Sequence, residues 1–257
     1  TEAREQYKTG TITQEQLINV ENNEIIRLIE KQKENGVLAI TDGEFRRSWW
    51  HFDFLGGLDG VEYYEKDKGL DFHQMETRKE GIRVIGKIGF TTHPFVQHFE
   101  FLKQHAGEAV VKQTIPSPNM LIRRVDMNEE VYQDKEEFKQ DIIVAYQKAI
   151  QAFYDAGCRY LQLDDTAWAD LFSEEGHEKL RAKGLDPAEE LVLMQQMINE
   201  SIANKPEDLT VTMHICRGNY KSNYFTSGGY DYASEVIFGG LNVDGLFLEF
   251  DDERSGS

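Results

Sequence analysis

Three observations predict an α/β chain built as an incomplete (β/α)8 TIM barrel. Amphipathic helix patterns alternate with short apolar strands along the chain, the signature of βαβ units and a parallel sheet. Three successive strands end in the reactive residues Asp164, Cys216 and Glu249, and barrels of this kind gather their chemistry at the C-terminal strand ends. A doubly wound sheet would carry a glycine-rich first turn, and none is present. About six strands can be counted against the eight of a closed barrel. The 257 residues are therefore expected to form a single barrel domain, 1–257, as a piece of a longer protein at both ends.

The elements follow from local chemistry. Thr13-x-x-Gln16 is a capping box, followed by Leu17, Val20, Ile25, Leu28 and Ile29 at near-helical spacing and by Gly36 as a stop. Residues 37–41 read as a strand that ends in Asp42-Gly43-Glu44. Residues 49–64 are aromatic and glycine-containing, and are expected to form a long loop with helical turns. Residues 82–90 alternate like a strand, and 110–115 form another, closed by Pro116-Ser117-Pro118. Asp134 caps a helix whose stripe is Phe138, Ile142, Ile143, Tyr146, Ala149, Ile150 and Phe153, and Gly157 ends it. Residues 160–163 are a strand running into Asp164-Asp165. Asp186-Pro187-Ala188-Glu189 combines cap, proline and acid at a helix start. A strand at 209–215, a short helix at 232–238 and a strand at 243–250 complete the pattern.

Composition narrows the function. Apolar residues make up 40%, enough for a sizeable core, and 28 Lys+Arg against 46 Asp+Glu give a net charge of −18. Such a charge excludes a partner whose binding rests on neutralising phosphates, so neither nucleic acid nor an anionic membrane surface is expected. No apolar run approaches the roughly 20 residues that span a bilayer, and the start shows no signal-peptide core. Cys158 and Cys216 do not make a disulfide framework. A reducing cytoplasm is expected.

The chemistry-bearing residues sit at the strand ends. In Met213-His214-Ile215-Cys216 the alternation of a strand puts His214 and Cys216 on one face, after Thr210 and Thr212. Imidazole and thiolate are zinc donors, although for such a pair taken alone a core histidine beside a buried free cysteine is the commoner reading. Glu249 lies in the apolar run Leu246-Phe247-Leu248-Glu249-Phe250, where a carboxylate is costly unless paired or bound to a cation; the alternative is a glutamate at a frayed strand end. Tyr160, Gln162 and Asp164 share a polar face, while Asp165 is the structural member of its pair and caps the turn after it. Glu44 and Asp164 could together hold an ammonium group; alternatively Glu44 sits in a turn and pairs with Arg46 or Arg47. Trp49, Trp50 and Phe52 are either a flat-ligand wall or core. Cys158, at the start of a strand, is read as packing. His93, His98 and His105 lack metal-like spacing.

Four motifs in order carry a family resemblance: Thr41-Asp42-Gly43-Glu44-Phe45-x-Arg47, Leu161-Gln162-Leu163-Asp164-Asp165, His214-Ile215-Cys216, and Leu248-Glu249-Phe250-Asp251-Asp252-Glu253-Arg254-Ser255-Gly256. From Glu2 to Gly256 the chain resembles the cobalamin-independent methionine synthase family, in its short single-barrel branch. The resemblance implies a barrel with zinc at its mouth. It matches His214, Cys216 and Glu249 to three of the four zinc ligands, and Glu44 and Asp164 to the acids that hold the homocysteine amino group. Thr114-Ile115-Pro116-Ser117-Pro118 falls near the methyl-donor side. The family's first-strand Gly-Ser loop, its last cysteine ligand and its proton-handling histidine have no counterpart in these residues, so no catalytic acid or base is assigned. The implied activity is zinc-dependent methyl or alkyl transfer to a thiol, homocysteine first, from a donor of the methyltetrahydrofolate type or another. The rival readings are a metal-free decarboxylase of the related porphyrin-decarboxylase barrels, which the scarcity of basic residues disfavours, and a non-catalytic thiol-binding barrel.

Overall fold

A computed structural model describes residues 2–65, 67, 71–72, 75–76, 79–125, 127–220 and 223–256; the outermost residues, Thr1 and Ser257, lie outside that set. The elements in chain order are α1 (Glu2–Lys8), α2 (Gln14–Glu34), β1 (Ala39–Ile40), α3 (Phe52–Leu55), β2 (Asp59–Glu65), β3 (Asp71–Phe72), β4 (Met75–Glu76) and β5 (Glu80–Gly89). They continue with α4 (Pro94–Ala106), β6 (Val110–Pro116), α5 (Pro118–Arg124), α6 (Lys135–Asp155), β7 (Tyr160–Asp165), α7 (Glu174–Ala182), α8 (Pro187–Ile202), β8 (Thr210–Ile215), α9 (Ser234–Gly240) and β9 (Gly245–Leu248).

Caps read from sequence start the long helices. At α2 both bonds of the capping box form, Gln16 N–H to Thr13 Oγ1 at 3.2 Å and Thr13 N–H to Gln16 Oε1 at 2.8 Å. Asp134 caps α6 through the Glu136 N–H, and Asp186 caps α8 through those of Ala188 and Glu189. The whole predicted stripe of α6 is buried.

Five strands form one curled sheet in the order β1-β6-β7-β8-β9, every neighbouring pair parallel. This is part of a barrel wall; the described residues do not close an eight-stranded barrel. The strand expected at 82–90 exists as β5, but it does not join the five-stranded parallel sheet. It pairs antiparallel with β2 in a separate hairpin, and its buried residues Ile82, Val84 and Ile88 face the main core. The long loop expected at 49–64 is likewise corrected: it holds the short helix α3 and the strand β2. Gly60, at φ +76° and beside a register shift between Asp59 and Val61, interrupts the alternation that would have announced the strand. Expected strands 37–41 and 243–250 shorten to β1 and β9.

Strand alternation then sorts the faces. Leu161, Leu163, Val211, Met213 and Ile215 are fully buried in the core shared with α6 and α8, each worth about 1.5–3 kcal/mol of apolar burial. The alternate residues Gln162, Asp164 and His214 turn to the other face, where a cleft opens.

Candidate functional site

Register brings the predicted residues together. The β7–β8 ladder sets Asp164 beside His214 and Asp165 beside Ile215, and β8–β9 sets Ile215 beside Leu248. Cys216 and Glu249 each come directly after the last residue of their strand. The Cys216 N–H still donates to the Asp165 carbonyl at 2.9 Å, so its side chain is fixed by sheet geometry. Glu249 thus stands past the end of β9 rather than within it. Its backbone N–H donates to Tyr230 Oη at 3.2 Å, and its carboxylate accepts from the Arg217 N–H at 3.4 Å and from Arg254 at 2.9 Å.

One ligand atom from each of His214, Cys216 and Glu249 lies within 4.8 Å of the others. The Cys216 thiol donates to Glu249 Oε1 at 3.3 Å. Burial pushes that thiol up to about 12, helped by the Glu249 and Asp164 charges. His214 Nδ1 sits 3.0 Å from the Phe247 carbonyl, a contact that orients the ring and leaves Nε2 for a ligand.

The two predicted acids lie in the same cleft. Glu44 holds φ 58°, a left-handed conformation, with its N–H on Asp42 Oδ1 at 2.8 Å. Its carboxylate accepts from Arg47 at 2.9 Å and from the Thr114 hydroxyl at 2.7 Å, so it makes the anticipated ion pair with Arg47 and faces the cleft as well. Arg47 is itself locked, donating to the Thr114 carbonyl at 2.6 Å and lying 4.5 Å over the Phe95 ring. Burial raises the Asp164 carboxyl to about 6, the Glu44 charge adding to it, while Gln162 donates to it at 2.6 Å.

Glu44, Asp164, His214 and Cys216 line a cleft of about 540 Å³ walled by Trp49 and Trp50; Glu249 joins it through Cys216. Phe52, the third of the aromatic cluster, is buried in the core. A larger open groove of about 990 Å³, lined by Trp49, Tyr63 and His98, contains none of these reactive residues. Asp165 is structural as expected, fully buried and accepting from Ser117, Asn119, Ala167 and Trp168. Cys158 is packed in the core.

Sequence reasoning missed Arg217. It is fully buried between the rings of Phe172 at 3.9 Å and Tyr230 at 4.2 Å, and it donates to the Gly228 carbonyl and to Tyr230 Oη. Through Tyr230 it steadies Glu249. Its position directly after Cys216 was the one available signal.

A curled parallel sheet with an imidazole–thiol–carboxylate cluster and two acids at its C-terminal strand ends defines a barrel-type α/β protein with a built mouth. Its family is given by comparison. The chain belongs to the cobalamin-independent synthase family, whose catalytic-domain model matches residues 1–226. It is 56% identical over 255 residues to the uncharacterised protein YxjG of Bacillus subtilis, covering 99% of this chain and 68% of that protein. It is 25% identical over 214 residues to a methionine synthase of Sulfolobus acidocaldarius, covering 83% of this chain and 56% of that protein. The chain therefore spans about two thirds of the Bacillus relative and just over half of the archaeal one. Among solved structures, a putative vitamin-B12-independent methionine synthase from Listeria monocytogenes superposes with TM-score 0.78 at 47% identity, covering 99% of this chain and 70% of that one. A B12-independent methionine synthase from Shewanella, in complex with selenomethionine, shares the fold at TM-score 0.68 and 17% identity, covering 95% of this chain and 67% of that one. Among the described residues no helix is long and apolar enough to cross a membrane.

Proposed function

We propose that residues 1–257 act as one barrel-type domain that transfers a methyl or alkyl group to a thiol, homocysteine being the leading acceptor, with zinc held by His214, Cys216 and Glu249. The observation that carries this reading is the meeting of three metal-donor atoms within 4.8 Å in a cleft that also holds two acids. The donors fit the metal: imidazole nitrogen, thiolate sulfur and carboxylate oxygen together are a zinc set. A thiol pushed up to about 12 beside a carboxylate is also a position that a cation would relieve. Zinc bound there would supply the Lewis acidity that turns a substrate thiol into a thiolate near neutral pH.

The chain's own residues do the rest. Glu44 and Asp164 would receive the acceptor's ammonium, with Thr114, Arg47 and Gln162 holding the two carboxylates in place. Trp49 and Trp50 would exclude water from one wall. Arg254, Arg217 and Tyr230 keep Glu249 at the cluster. In the transfer the acceptor sulfur forms a bond to the methyl carbon, the donor–methyl bond breaks, and the donor leaves with the electron pair. Donors of the methyltetrahydrofolate type are the first to assay. The setting is the cytoplasm and the partners are small molecules, not nucleic acid or membrane.

Elemental analysis after dialysis against a mild chelator tests the reading, with about one zinc per chain expected. Cys216→Ser should lose both the zinc and the transferase activity. A folded protein with reduced cysteines and no zinc, or a fully active Cys216→Ser protein, would overturn it.

A further inference from the structure

Among the described residues, one cation on the wall of the same cleft has no counter-ion in contact. Arg124 is the last residue of α5. Its Nε is sealed from solvent and has no hydrogen-bond partner. Asp165 and Asp170 favour its charge only through their field, and the Asp165 oxygens are taken by Ser117, Asn119, Ala167 and Trp168. His51 lies close enough for Arg124 to disfavour its proton. It is 3% exposed and stacked between Trp50 at 4.6 Å and Phe52 at 4.0 Å. Neither ring nitrogen of His51 has a partner. Both residues line the cleft with Asp164 and Cys216.

Two buried polar groups with open hydrogen-bonding capacity are costly to a fold. Their cost is offset when a ligand completes them. A guanidinium fork matches the paired oxygens of a carboxylate or phosphate, and a neutral imidazole adds one donor. The chain as a whole is strongly acidic, and Glu44 and Asp164 make one part of the cleft negative, so a cation here gives the cleft two poles. We propose that Arg124 and His51 form an oxyanion subsite of this cleft, taking a carboxylate or phosphate group of a small-molecule ligand. The ligand's two sources, an acceptor's own carboxylate or an acidic methyl donor, rest on the transferase reading; the subsite does not.

The test is calorimetric and thermal titration of the wild type, Arg124→Gln and His51→Asn, each with and without zinc. The probes are inorganic phosphate, acetate, L-homocysteine and 3-aminopropane-1-thiol, which keeps the thiol and ammonium and lacks the carboxylate. Phosphate or acetate should bind the wild type and raise its unfolding midpoint, and Arg124→Gln should weaken that binding about tenfold or more. Without anion, Arg124→Gln should unfold at the wild-type midpoint or above it, because it removes an unpaired buried charge. If homocysteine also weakens while aminopropanethiol does not, the acceptor carboxylate occupies the subsite. If both thiols bind unchanged, the group belongs to the donor. Should Arg124→Gln not fold, His51→Asn carries the test: its anion affinity falls under the proposal and stays at the wild-type level otherwise. Absence of anion binding in the wild type, or equal binding in the variants, overturns the proposal. Absence of homocysteine binding to the zinc-loaded wild type, with its anion binding present, would instead overturn the transferase reading.

Discussion

Replacing Asp165 by Asn should destabilise the protein by about 2–4 kcal/mol, although it removes a buried charge. The carboxylate is fully buried. Its Oδ2 accepts from the Ser117 hydroxyl at 2.5 Å, from Asn119 at 3.1 Å and from the Trp168 indole at 3.1 Å, and its Oδ1 accepts from the Ala167 N–H at 2.5 Å. An amide has one oxygen. The Ser117 hydroxyl can turn, but the indole and backbone N–H groups cannot, and they lie on opposite oxygens. Whichever way the amide is set, one fixed donor meets an NH2 group. An orphaned buried donor costs about 1–3 kcal/mol. Each surviving bond also weakens by about 1 kcal/mol on losing its charged acceptor. Relief of the desolvation that raises the Asp165 carboxyl returns part of this. For a chain of this size the result is a midpoint lower by about 5–15 °C. Urea unfolding followed by circular dichroism measures it, with an unchanged m-value as the sign of an intact native state. An Asn variant within about 0.5 kcal/mol of the wild type would refute the argument from fixed donors.

Other consequences are equally open to measurement. Tyr146→Phe should cost about 1–2 kcal/mol in urea unfolding, because the phenol donates to the carbonyls of both Pro116 and Ser117 in the buried turn after β6; no change would mean water takes the place of the hydroxyl. Acid should weaken the fold: burial first, with Arg47 near one ring and Arg46 near the other, holds His93 and His98 at about 4 against an ordinary 6.5. The unfolded chain therefore binds their protons below pH 6.5 and the native one only near pH 4. Their contribution is complete above pH 6.5 and is lost as pH falls towards 4. The slope approaches about 1.4 kcal/mol per pH unit for each ring. A flat stability profile across that range would contradict the shifts. If the proposed zinc site is right, the wild type should retain about one zinc per chain after dialysis and Cys216→Ser should retain none, which elemental analysis reads directly.

Much of this was legible where local chemistry decides. Thr13, Asp134 and Asp186 announce helices because a cap needs only its own turn, and Leu161 and Leu163 separate from Gln162 and Asp164 by strand alternation alone. His214 and Cys216 are visible together for the same reason. What stayed hidden depends on distant partners. The start of α4 has His93 as its cap, and that ring is placed by the Phe54 carbonyl at 2.9 Å, so no usual cap residue marks it. Strand β2 is obscured by the bulge at Gly60. Arg217 gains its role from Phe172 and Tyr230, far along the chain, and the unpartnered state of Arg124 and His51 results from what packing leaves out.

The left-handed backbone at Glu44 has one more consequence. A non-glycine residue there carries about 1 kcal/mol of conformational energy, incurred once when the chain folds. On the proposed reading, a ligand arriving later would meet a carboxylate already aimed and immobilised by Arg47 and Thr114, and recognition would require little further ordering. Glycine at this position would relax the turn, but it would also strip the nearly buried Arg47 guanidinium of its carboxylate partner, a loss larger than the strain regained. The fold therefore keeps this carboxylate for its own sake, and on the proposed reading the strained backbone and the ion pair that hold it are the same features that ready it for a ligand.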